Sequence, residues 1–336
     1  MTCRSRLLFC SLLAAGAALG LYIRALSGEE PPGDDPIVAS VNGRAIRLSR
    51  LEQAVADLRS RRPWPQAWDS QVRSLLLAQL VDRWIVLEYL GSHSAAATPA
   101  DVDQAMRGLE AELQARGRTL SDYLKQLSLT ADQLRDELLW SLSWRRYLDR
   151  FLTDENAQRF FERHRRHFDG TRRKVAHIVW KVDSPEEVEK YLAEARRVRE
   201  EILAGKIRFA DAAARYSQSP TGASGGNLGW IERHQPMPES FSRAAFDLEL
   251  GKVSEPIITR IGVHLIQCLE EEPGTRRLED VRGEVEAAMA AYLFRWSADR
   301  HRAEVTLEWN EQLVPRPDKQ LAEWLERSLP LIPGNR

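Results

Sequence analysis

The chain has 336 residues, 43% of them hydrophobic, with 48 basic side chains against 49 acidic ones and a formal net charge of −1. That length points to two or three structural units, and the apolar fraction is that of an ordinary globular protein. Balanced charge excludes a global field toward nucleic acid or an acidic substrate.

Arg4 and Arg6 precede an uncharged run from Leu7 to Ile23. At about 1.5 Å rise per residue, a helix of this length just spans a bilayer core. A cleaved signal peptide and an uncleaved anchor are the two readings. Ala14 to Ala18 are small enough for cleavage, yet Leu19, Leu21, Tyr22 and Ile23 continue the run and no clean A-x-A site ends it. Arg4 and Arg6 hold the first residues in the cytoplasm, so either reading exports the bulk of the chain. Residues 1–27 are therefore read as the targeting or anchoring segment and 28–35 as an acidic, Pro/Gly-rich linker. Bulky Phe9 before Cys10 argues against a lipoprotein site. Cys3 and Cys10 fall in the targeting segment. Cys268 is left alone, so the folded part has no internal disulfide and no Cys-rich metal site.

In the exported part "VASV" alternates like a strand, Asn42-Gly43 signals a tight turn, and "RAIRL" returns as a second strand. Ser49 is expected to cap a helix, and the pattern stays helical to Gly170, broken at Pro63-Trp64-Pro65. "QVRSLLLAQLVDRWIVLEYL" is apolar on more than one face, which predicts a central helix. Thr98-Pro99, the Thr130/Gln133 capping box and Thr153 open further helices. Residues 36–170 are read as a mostly helical domain.

At Arg172 the pattern changes. "RRKVAHIVWKV" is β-branched and alternating, which predicts a strand. Ser184-Pro185 opens a long helix that Gly205 closes, and "RFADAAARYS" is a second, short one. A glycine run, the strand "LGWI", the helix "ESFSRAAFDL" and the strands "VSEPIITR" and "GVHLIQCLEE" follow. The remainder is a long helix and the strand "EVTLEWN". A lone terminal strand needs a partner, and the N-terminal hairpin is available to it. Residues 273–310 are therefore read as returning to the first domain, and 311–336 as a peripheral tail in which Leu321, Trp324 and Leu325 share a face.

Gly222-Ala223-Ser224-Gly225-Gly226 fits G-x-S-x-G, with Asp247 and His264 downstream in hydrolase order. A nucleophile elbow needs a strand before the serine and a helix after it. Here the order is reversed, so the glycines are read as a turn. No Gly-Lys-Ser/Thr closes the run, which excludes a P-loop. His164 and His167 lie among four arginines in "RFFERHRRHF", a basic face rather than a metal site. His177 and His264 stand inside apolar runs, and Met237, Phe241 and Leu228 are available for a small apolar pocket. Taken singly, each reads equally well as core.

Taken together, "AHIVWKV", "FADAAARYSQSPTGASGGNLGWI", "MPESFSRAAFDLELGKVSEPI" and "GVHLIQCLE" resemble a parvulin-type peptidyl-prolyl cis–trans isomerase from about Lys174 to Glu271. The flanking helices and the N-terminal run make the architecture similar to the SurA/PrsA/PpiD-like exported foldases. The resemblance implies an α+β protein. A parvulin domain at 171–272, a small antiparallel sheet wrapped by helices, is carried by a helical chaperone domain built from both chain ends. It implies that His177 and His264 are active-site histidines linked through hydrogen bonds. Ser219 then takes the position between them that is usually Cys or Asp. Met237, Phe241 and Leu228 wall the proline pocket, with Phe246 a turn beyond. Asn227 replaces the more usual Asp of the glycine turn, and Asn serves turns equally well. The reaction needs no cofactor and no metal. The implied partners are unfolded or proline-containing polypeptides, with membrane contact through the N-terminal segment and no nucleic acid. The implied place is the periplasmic side of the cytoplasmic membrane. Serine lacks the charge of Asp and the thiol of Cys, so a module that only binds peptide is the rival reading.

Overall fold

The computed structural model describes residues 35–61, 64, 66–127, 129–233, 237–259 and 261–317. The expected targeting segment, the linker through residue 34, the prolines of the break at 63–65 and the apolar face of the tail lie outside the described residues. Among the described residues no helix is long and apolar enough to cross a membrane.

Strands β1 (Ile37–Val41) and β2 (Arg44–Arg47) form an antiparallel hairpin through Asn42-Gly43, both in the left-handed region at φ 50° and 78°. Helix α1 (Leu48–Arg61) follows at once. Ser49 is not its N-cap. The carboxylate of Asp35 accepts from the Ser49 backbone N–H at 3.0 Å and from its hydroxyl at 2.6 Å. The capping acceptor thus comes from before the hairpin, a non-local partner that a search of adjacent residues misses.

Helix α2 (Asp69–Ser92) buries residues around much of its circumference, from Val72 through Leu77 and Val81 to Leu90. It is packed on by α1, α5 (Ala131–Phe151) and α10 (Leu278–His301). Thr98 caps α3 (Pro99–Ala115) and Thr130 caps α5, each in a reciprocal box with the residue three positions on. Between them lies α4 (Leu120–Leu127), and Thr153 caps α6 (Asp154–Arg163). A short 3₁₀ turn, Arg165–His167, leads out of this region. The last strand, β7 (Leu307–Trp309), pairs antiparallel with β1, Ala39 opposite Trp309. The chain's C-terminal segment therefore completes the sheet that its N-terminal segment begins.

A second antiparallel sheet has the order β4-β3-β6-β5, with β3 (Arg172–Lys181), β4 (Asn227–Glu232), β5 (Ile257–Thr259) and β6 (Gly262–Glu272). Helices α7 (Pro185–Leu203), α8 (Phe209–Tyr216) and α9 (Glu239–Asp247) pack around it. Strand β5 is shorter than the sequence pattern suggests. Val253 makes only an isolated bridge to Gln267, and Pro256, which has no N–H to give a ladder, precedes the paired stretch.

Candidate active site

The central strands β3 and β6 supply the two histidines. In their register His177 faces Ile266 and Val179 faces His264, so the imidazoles are diagonal neighbours on one face of the sheet. Their rings stack with centroids 5.6 Å apart and planes at 28°. Phe241 on α9 presents its ring edge-to-face to both, 5.9 Å from His177 and 5.5 Å from His264. The three side chains are buried, at 6%, 1% and 0% exposure for His177, His264 and Phe241.

The backbone beneath His177 depends on one glycine. Its N–H donates to the Gly226 carbonyl at 2.9 Å. Gly226 sits at φ 79°, and a Cβ there would lie 2.3 Å from the His177 carbonyl oxygen. Any side chain would push β3 and its histidine aside. The glycine run is thus a turn that lets the chain pass tightly under the site. Nor does a hydrolase triad assemble. Ser224 Oγ donates to the Thr221 carbonyl, Asp247 pairs with His167, and His264 bonds Thr259.

The hydrogen-bonded link between the histidines that the resemblance implies is absent from this arrangement. Stacked rings direct their nitrogens outward rather than at each other. Both nitrogens of His177 and Nδ1 of His264 have no hydrogen-bond partner among the described residues. His264 Nε2 is bonded instead to Thr259 Oγ1 at 2.8 Å, and that oxygen also accepts from the Ile261 backbone N–H. Thr259 was not singled out in the sequence. It reads there as one more β-branched strand residue, and only its position across the β5–β6 turn from His264 could have flagged it. Ser219 opens a 3₁₀ turn, and the residue before it, Gln218, bonds the outer half of β3 through Val179 and Lys181. Its Oγ is 2.9 Å from Thr221 Oγ1 and bonds neither imidazole.

Leu228 and Met237 pack on the apolar cluster that holds Phe241, Val175 and Ile266. Phe246 belongs to the same cluster but faces elsewhere. Its ring lies 6.1 Å from that of His167, and it lines a cavity of about 390 Å³ with Arg163, His164 and Asp247. Five residues along a helix turn the side chain by roughly 140°, so Phe241 and Phe246 cannot share one wall.

Burial pushes His177 down to about 4. It pushes His264 down to about 3, with the neighbouring His177 adding to the effect. Both rings are neutral at pH 7, so neither acts as a charged acid there. Unfolded histidine titrates near 6.5, so the unfolded chain takes up protons that the folded chain refuses below that pH. Stability from these two groups is fully present above 6.5 and is lost as pH falls toward 4 and 3. Between pH 7.5 and 5.5 these two groups are expected to lower the unfolding free energy by about 2.7 kcal/mol. Urea unfolding at the two pH values measures it, and equal free energies would refute it.

Residues 177–270 match the family model Rotamase, the PPIC-type PPIASE domain. The chain carries a parvulin-type domain and is SurA/PrsA-like. Chaperone SurA of Chromohalobacter salexigens is 26% identical over 73% of this chain and 58% of its own length. Foldase protein PrsA of Bacillus subtilis is 40% identical over 23% of this chain and 26% of its own length. The solved peptidylprolyl isomerase PrsA from Bacillus anthracis superposes with a TM-score of 0.34 at 16% identity, covering 68% of this chain and 96% of that one. The chain spans little more than half of the first of these relatives and 30% of the SurA chaperones of Bordetella.

Proposed function

We propose that the protein is a peptidyl-prolyl cis–trans isomerase and folding chaperone for exported polypeptides. The observation that carries this reading is the pair of buried, neutral imidazoles in contact with one aromatic ring, inside a segment that matches the PPIC-type domain. Rotation about X-Pro crosses a barrier of about 20 kcal/mol with no bond made or broken. Twisting the amide removes its resonance and makes the nitrogen pyramidal and basic. A site that holds the proline ring against apolar side chains and offers polar groups to the twisted amide binds that state better than either isomer. In this proposal Phe241, Met237 and Leu228 hold the ring. His177 and His264 supply uncharged donors and acceptors, and Ser219 adds a hydroxyl at the rim. The chaperone part is residues 36–170 with the returning segment 273–310, and the isomerase part is 171–272. Residues 1–27 direct export and either remain as an anchor on the periplasmic side or are cleaved. The support for export is the basic start and the uncharged run, together with the names of the relatives.

A protease-coupled or NMR-exchange assay on the exported fragment with X-Pro peptides tests the reading. Catalysed exchange abolished by His264→Ala supports it. Background exchange with intact peptide binding would leave only a binding module.

Substrate charge gives a second expected result. The loop after β3 carries Asp183, and Glu187 in the first turn of α7 accepts from the Asp183 N–H at 3.0 Å. These acidic side chains repel a phosphate. PhosphoSer-Pro peptides should be turned over no faster than Ser-Pro peptides. A tenfold gain in kcat/KM with phosphate, about 1.4 kcal/mol, would contradict this.

A further inference from the structure

Helix α9 carries Phe241, yet it is held in part by His167, which lies outside the segment matching the isomerase family. His167 ends the 3₁₀ turn before β3. Its Nε2 lies 2.9 Å from Asp247 Oδ1 at the C-terminal end of α9. Its Nδ1 lies 3.0 Å from Arg233 Nε, and Arg233 in turn forks onto the Glu239 carboxylate at the N-terminal end of α9, at 2.6 and 2.5 Å. Guanidinium only donates, so Nδ1 must accept and the proton of the neutral ring sits on Nε2, facing the carboxylate. One imidazole therefore has both nitrogens committed, each toward a different end of the same nine-residue helix. The side chains are sheltered, His167 at 14% and Arg233 at 11% exposure.

We propose that His167 is a positioning residue for the isomerase site. It clamps both ends of α9 and so fixes Phe241 against the two active-site imidazoles. Arg173 also holds the C-terminal end of α9, donating to the Ala245 and Leu248 carbonyls. At the N-terminal end, next to Met237, the ion pair that reaches beyond the helix is Glu239 with Arg233, since Arg243 pairs with Glu239 from within α9. Loss of the imidazole frees Arg233 to turn and lets that end drift. Small displacements at a positioned site cost rate out of proportion to stability. The proposal makes the helical region, through the turn that leaves it, part of what sets catalytic geometry.

The proposal rests on the isomerase reading, so the test has a readout that does not need catalysis. Gln can accept from Arg233 through Oε1 and donate to Asp247 through Nε2, as the imidazole does, whereas Ala can do neither. In the full chain His167→Ala should lower kcat/KM on an X-Pro peptide roughly tenfold, and His167→Gln should restore it to within about twofold of wild type. The protein has four methionines, so ¹³C-methyl labelling gives a resolved Met237 signal with Met106 as a distant control. His167→Ala should shift the Met237 methyl and leave Met106 in place. A wild-type chain without isomerase activity would defeat the isomerase reading alone, and the Met237 methyl would still decide on the clamp. Wild-type kcat/KM and an unmoved Met237 methyl in His167→Ala would overturn the proposal. So would His167→Gln being as impaired as His167→Ala. If His167→Ala does not fold, His167→Phe keeps a ring of similar size and removes both hydrogen-bonding nitrogens. A shifted Met237 methyl in that variant supports the clamp, and an unmoved one overturns it.

Discussion

Replacing Arg173 by methionine should cost the folded protein about 3–5 kcal/mol, a large share of the 5–15 kcal/mol that holds a typical domain together. Arg173 lies in β3 with its side chain 1% exposed. Its guanidinium donates to Glu271 through Nε at 2.8 Å and to the carbonyls of Ala245 and Leu248 at 2.6 Å each. Those carbonyls belong to the end of α9, where no further turn of helix exists to satisfy them. Methionine keeps most of the apolar stem and removes all of these donors. Two buried carbonyls and one carboxylate are then left without them. Glu271 is 28% exposed and recovers some solvation, which places the expected loss toward the lower end of the range. Urea unfolding followed by tryptophan fluorescence measures the change. A loss below about 1 kcal/mol would show that water replaces the guanidinium at little cost.

Much of this frame is legible in the sequence because its determinants are local. Thr98 and Thr130 each sit three residues before their reciprocal partner, and the helices begin where that spacing places them. The run holding Gly222, Gly225 and Gly226 stands out in the sequence, and the left-handed turn at Gly226 under His177 is one place that requires it. The determinants that escape are those made by chain segments far apart in sequence. Asp35 caps a helix from the other side of a hairpin. Thr259 reaches His264 across a turn. Phe246 looks like a neighbour of Phe241 in a one-dimensional reading, and the helix rotates it toward His167 and the cavity it lines there. The stacking of His177 on His264 belongs to this second kind. Their residue types suggest a pair, but only the β3–β6 register decides that the rings stack, leaving both nitrogens of His177 and Nδ1 of His264 unbonded.

That stack makes Phe241→Ala the most informative single change at the site. The ring is 0% exposed and meets both imidazoles edge-on. Removing it should destabilise the protein by about 3–5 kcal/mol, the transfer term plus the cost of the cavity left behind. Peptide affinity should fall as well, since an aromatic wall is worth about 1.5–3 kcal/mol, or roughly tenfold or more in Kd. A second consequence separates the site from ordinary core. The cavity opens beside two imidazoles that burial holds at about 4 and about 3. Water entering it relieves that burial and returns both rings toward 6.5. The folded variant then takes up protons nearly as readily as the unfolded chain, so less stability is lost on acidification. Phe241→Ala should therefore be much less stable than wild type at pH 7.5 and show a shallower decline toward pH 5.5. Phe209→Ala, in a separate buried cluster, should lose similar stability at pH 7.5 and keep the wild-type slope. Parallel declines in all three proteins would mean that Phe241 does not shelter the imidazoles, and its assignment as the shared wall of the site would fall with it.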